Sequence, residues 1–160
     1  MVKINTLFEE GKISRISDLE IERYANFFEN SYQDNLRHSE KNANDFPRWS
    51  IISGYYAMHD MAKLLISKKF RIKVDFKVHA TTIALLRELT KDSELAALIE
   101  DGYREFLSLA NDLEEAKRQR VKVQYYTGTR FLRDEYRRKA SEFHANTVMP
   151  FIEKMRRLLA

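Results

Sequence analysis

Apolar side chains recur at helical spacing between residues 18 and 43, at Leu19, Tyr24, Phe27, Phe28, Tyr32 and Leu36. Ser17-Asp18 supplies the capping start of that pattern, which predicts a helix over about 18–43. Asn44-Asp45-Phe46-Pro47 then reads as a turn with proline at the first position of a second helix, 47–68, with Ile51, Tyr55, Met58, Ala62 and Leu65 as its stripe. Residues 70–75 read as an extended connection, with a two-strand alternative set aside. Asp75 caps a third helix bearing Val78, Ile83, Leu85, Leu86 and Leu89. After Lys91-Asp92-Ser93, a fourth helix places Gly102, Phe106, Leu109, Leu113 and Ala116 at alternating four- and three-residue steps, the pattern of a packed seam. Thr127-Gly128-Thr129 breaks it, and a last helix is predicted over 131–159 through Tyr136, Ala140, Phe143, Val148, Ile152 and Met155, kinked at Pro150. Four or five such stripes joined by short turns bury themselves by packing side by side. The expectation is therefore an all-α, up-and-down four- to five-helix bundle in one domain over 1–160, with residues 1–17 peripheral.

Composition agrees with that pattern, since 160 residues hold only 4 glycines and 2 prolines while 32% are charged. The absence of cysteine excludes disulfides, thiolate zinc sites and cysteine nucleophiles, and fits a reducing cytoplasm. No apolar run approaches the ~20 residues of a membrane span, so a cytoplasmic protein without a membrane partner is expected. The net charge of +4 is modest, but it is unevenly spread. Residues 92–115 are acidic apart from Arg104, whereas Lys117, Arg118, Arg120, Lys122, Arg130, Arg133, Arg137, Arg138 and Lys139 are opposed only by Asp134 and Glu135. Clustered in space, those cations attract phosphate; spread out, they form a solvated helix face.

Continuing the seam rhythm of the fourth helix leads to Arg120, a permanent cation where packing calls for an aliphatic side chain. Two compensations suit it: an acidic partner inside the bundle or at a dimer seam, or a bound phosphate. Gln124 lies one turn further on the same face, with Tyr125 and Tyr126 beside it, either as a polar cluster or as ordinary half-buried aromatics. The four histidines, His38, His59, His79 and His144, fall on different predicted helices without the spacing of a di-iron or helical zinc site, so neither metal nor cofactor is expected. Phosphate loops and the surroundings of a nucleophile elbow are missing.

The stretch Ser53-Gly-Tyr-Tyr-Ala-Met-His-Asp-Met-Ala-Lys-Leu-Leu65 resembles the second-helix signature of HEPN domains. His79, opening the next helix, and Arg120-Val-Lys-Val-Gln-Tyr125 extend the resemblance over about residues 32–159. It implies a helical bundle, often a homodimer, that acts on RNA or nucleotide as a metal-independent endoribonuclease of toxin–antitoxin type. The alternative it implies is a non-catalytic interaction module that homodimerises or partners a minimal nucleotidyltransferase. By resemblance Arg120 takes the arginine position of the motif, Tyr125 stands where its histidine would be, and Asp60 takes the second-helix polar position facing it. Lys117, Arg118, Lys122, Gln124, Tyr126 and Arg130 are the surrounding residues expected to hold nucleic acid. Tyrosine, with a reference pKa of about 10, is poorly matched to proton transfer near neutrality, so the substitution at Tyr125 favours binding over cleavage. His144 substitutes for the missing group only if the fold brings it to Arg120.

Overall fold

The computed structural model describes residues 4–119 and 129–160, with side chains described for 4–109 and 134–160. The elements run α1 (Ile4–Glu9), β1 (Ile13–Arg15), α2 (Asp18–Asn42), α3 (Pro47–Phe70), β2 (Ile72–Val74), α4 (Val78–Thr90), α5 (Ser93–Gln119), α6 (Thr129–Phe143), a π-helical turn (His144–Val148) and α7 (Met149–Leu159). The architecture is an all-α bundle, with one short two-stranded ribbon among the described residues.

α2 starts where Glu20 folds back on Ser17, accepting the Ser17 hydroxyl at 2.7 Å and its backbone N–H at 3.4 Å. Its buried face carries Ala25, Phe28 and Tyr32. Leu19 and Phe27, both expected in the stripe, point outward at 96% and 64% exposure. Phe27 stands about 100° around the helix from Phe28 and so leaves the face that meets α3. α3 is the central element and is buried on nearly every side, with Ile51, Tyr55, Met58 and Ala62 on one side and Ala57, Met61 and Leu64 on the other. It packs against α2, α4, α5, α6 and α7. Gly54 permits part of this packing, because a Cβ there would lie 2.9 Å from the Ser39 hydroxyl and 3.1 and 3.2 Å from Val148 and Phe143.

α3 stops at Arg71, whose left-handed backbone (φ 56°) returns its N–H to the Ser67 carbonyl. The next residues form a strand, which corrects the reading of 70–75 as a plain connection. Ile72, Lys73 and Val74 pair antiparallel with Arg15, Ser14 and Ile13. The partner strand lies in the N-terminal segment, some 60 residues away, and the alternating Ile72 and Val74 turn into a second small core with Leu7, Ile13, Ile66 and Leu85. Residues 4–16 thus contribute buried side chains, with Ile13 at 2% exposure. Asp75 does not cap α4. Its carboxylate accepts the Ser14 hydroxyl at 2.6 Å, while α4 opens after Lys77 in a left-handed conformation and Thr81 donates to the Phe76 carbonyl.

The expected irregularity at Pro150 is a π-helical turn just before it. The Met149 N–H reaches the His144 carbonyl five residues back, and Pro150 sits in the first turn of α7, where its missing N–H costs least. The main core gathers Phe28, Tyr32, Ile51, Tyr55, Met58, Leu86, Leu95, Ile99, Phe143, Phe151, Ile152 and Met155 from α2 to α7.

The charges are partly used in half-exposed ion pairs between helices. Lys139 of α6 meets Glu105 of α5 at 3.0 Å, and Lys154 of α7 meets Asp92 and Glu94 at 3.2 and 2.9 Å. Arg137 is held by Asp134 and by the Asn44 carbonyl, whereas Arg138 is exposed.

Candidate functional site

α3 sets out Tyr55, Tyr56, His59, Asp60 and Lys63 over two turns, so that Tyr55 lies beneath His59 and Tyr56 beneath Asp60 and Lys63. α4 brings His79 to this surface from its second residue, and α5 brings Tyr103 and Phe106. Close approach of α5 depends on Gly102, where a Cβ would stand 3.0 Å from the Met58 sulfur and 3.5 Å from the Tyr55 ring.

The result is a cluster of six rings. Tyr55 is fully buried and stacks on Phe106 (centroids 5.0 Å apart, planes 24° apart). His79 lies nearly parallel to Tyr103 (5.6 Å, 12°) and to Phe106 (5.9 Å, 26°). His59 and His79 are 4.7 Å apart, and Tyr56 meets His59 edge-on at 6.5 Å. Tyr56, His79, Tyr103 and Phe106 are half-buried, giving the cluster a face toward solvent.

Polar atoms within the cluster are unequally satisfied. The Tyr55 hydroxyl and His79 Nδ1 lie 2.7 Å apart, and burial raises the Tyr55 pKa well above that of a free phenol. Burial also lowers the pKa of His79, and nearby His59 and Lys63 push it the same way against the pull of Asp60. Asp60 accepts hydrogen bonds from the Ser31 hydroxyl at 2.7 Å and the Asn35 amide at 3.1 Å, both on α2. Its other oxygen is 3.8 Å from His59 Nδ1, beyond hydrogen-bond range. His59 Nε2 is sealed from solvent and has no hydrogen-bond partner among the described residues. Lys63 lies over the Phe28 ring at 4.9 Å, and burial lowers its pKa.

Of the residues expected to form the site, Asp60 lies beside this cluster. Arg120, Lys122, Gln124, Tyr125 and Tyr126 lie outside the described residues, and Lys117, Arg118 and Arg130 belong to α5 and α6 with side chains outside them. His144 faces α2, with Nδ1 3.3 Å from the Ser39 hydroxyl, in a second polar cluster with Ser50. The four histidines, separate along the sequence, are not all separate in space, because the His59 and His79 rings meet at 4.7 Å with their planes tilted by 39°. Tyr103 was missed by the sequence reading. Its position beside seam residue Gly102 and one turn before Phe106 was the available signal.

Among the described residues no three metal-binding side chains converge, and no helix is long and apolar enough to cross a membrane. Comparison of the chain with protein-family models, curated proteins and solved structures gives no match.

Proposed function

We propose that this chain is a HEPN-like domain that binds RNA or a nucleotide. The observation that carries the reading is that Tyr55, Tyr56 and His79, three residues on which the family resemblance rests, meet in one half-open ring cluster. Tyr103 and Phe106 complete it from α5, the helix that continues to Lys117 and Arg118. Aromatic faces hold unpaired bases by stacking, worth roughly 1–3 kcal/mol per base, while cations farther along the helix hold phosphates. Along α5, Phe106 and Lys117 are separated by eleven residues, or about 16 Å at helical rise, a span of a few nucleotides.

Fluorescence anisotropy of a labelled single-stranded oligoribonucleotide tests this. Binding that weakens about tenfold or more between roughly 50 and 200 mM salt supports it, whereas no binding at the lower salt rejects it. Cleavage is a separate matter. Incubation of structured RNA with the protein in EDTA, beside Arg120→Ala, assigns catalysis to the motif only if the parent cleaves and the variant does not.

A second reading, an interaction module joining a copy of itself or a nucleotidyltransferase, draws on Leu19, Phe27, Phe46 and Trp49, all more than half exposed. Phe27 also borders a surface hollow of about 420 Å³ with Ile16, Tyr24 and Phe28. Light scattering that finds only monomer, with no complex formed with a co-expressed nucleotidyltransferase, counts against it.

A further inference from the structure

The ring cluster holds more polar chemistry than a stacking platform requires. Tyr55 retains its proton, and its hydroxyl lies 2.7 Å from His79 Nδ1, where it can donate to the imidazole tautomer that carries no hydrogen on Nδ1. A neutral His79 bonded in this way carries its own hydrogen on Nε2 and presents it as a donor. His59 has the opposite polarity. The Asp60 carboxylate near its Nδ1 favours the hydrogen on that nitrogen, which leaves Nε2 as an acceptor. That acceptor is sealed and without a partner among the described residues, on a residue only 3% exposed, a costly arrangement for a nitrogen with no role.

We propose that His79 and His59 read the edge of a nucleobase, His79 donating and His59 accepting, while the base stacks on Tyr103. The inference rests on the RNA or nucleotide reading above and names the part of the ligand that this cluster takes. Geometry favours a flat heteroaromatic ring. A base lying in the plane of His79 and bonded to its Nε2 runs parallel to the Tyr103 ring, because those two planes differ by only 12°. One donor and one acceptor on rings whose centroids are 4.7 Å apart suit the Watson–Crick edge of a base, which presents both kinds of group, better than a phosphate, which offers only acceptors crowded with negative charge. Because Nε2 is sealed, a base reaches it only after a side chain of the cluster moves, and half-buried Tyr56 packs edge-on against His59.

NMR of the histidine ring resonances tests the inference on the intact chain, by titration with uridine, cytidine and adenosine monophosphates, ribose 5-phosphate and a short oligoribonucleotide. Movement of the His59 and His79 signals with a mononucleotide, and none with ribose 5-phosphate, is the expected result. Movement with the oligonucleotide alone also supports it and assigns the base to an RNA chain rather than to a free nucleotide. His79→Phe and His59→Phe, which keep a ring in place, should each weaken binding about tenfold. Equal shifts with ribose 5-phosphate, or RNA binding with both histidine signals unmoved, overturn base reading here while leaving RNA binding intact. Absence of any RNA binding removes both proposals.

Discussion

The Tyr55 hydroxyl lies 2.7 Å from Nδ1 of His79, tying the most buried ring of the central helix to the first turn of α4. The bond joins the core to the candidate site, since the residue that fills the bundle also orients the histidine that faces outward.

Tyr55→Phe removes that bond and keeps the ring. The expected loss is about 1 kcal/mol of stability, read as a lower urea midpoint with an unchanged slope. An unchanged midpoint would mean that the bond contributes nothing net.

The two close-packed glycines of the bundle should respond differently to alanine. At Gly54 the new methyl meets the Ser39 hydroxyl at 2.9 Å together with the branched Val148 and the Phe143 ring, so Gly54→Ala should cost roughly 1–3 kcal/mol. At Gly102 the nearest atoms belong to Met58, a flexible side chain, and alanine's better helix propensity of about 1 kcal/mol offsets the crowding. Thermal melts of the two variants should rank Gly54→Ala clearly lower.

Removing the Ile13 side chain opens the second core at its centre. Ile13→Ala should destabilise by about 2–4 kcal/mol although it lies in the first β-strand, outside the bundle proper. Chemical denaturation measures this, and a cost below about 0.5 kcal/mol would show that the ribbon is decorative.

Acid should weaken the fold through His79 and His144, whose pKa values burial lowers from the ordinary 6.5. The unfolded chain then takes up protons first, so stability is full above about pH 6.5 and is lost as pH falls from there through the lower folded-state values. Urea midpoints should fall between about pH 7.5 and pH 5.5, and should fall less in a His79→Phe, His144→Phe double variant.

How much of this was visible in the sequence differs by element. Helices α2, α3 and α5 were legible because local start signals and stripes mark them, with Pro47 beginning α3 as its position implied, whereas α4 was legible from its stripe alone. The β1–β2 ribbon was not, because the pairing of Ile13 with Val74 is a long-range contact for which three residues on each side give little local signal. Leu19 and Phe27 misled for a related reason: hydrophobicity identified them, but their angle around α2 turns them to solvent. At the candidate site, Asp60, His59 and His79 were visible as residues, but their convergence depends on how α4 and α5 cross α3, which no spacing within one helix encodes.

Photo-crosslinking of a 4-thiouridine oligoribonucleotide, mapped by mass spectrometry, bears most directly on the central claim. Crosslinks to His79, Tyr103 or Phe106, reduced in Phe106→Ala, are the predicted result. No crosslink under conditions that saturate the protein with RNA, or crosslinks confined to α1 and the β1–β2 ribbon, would contradict it.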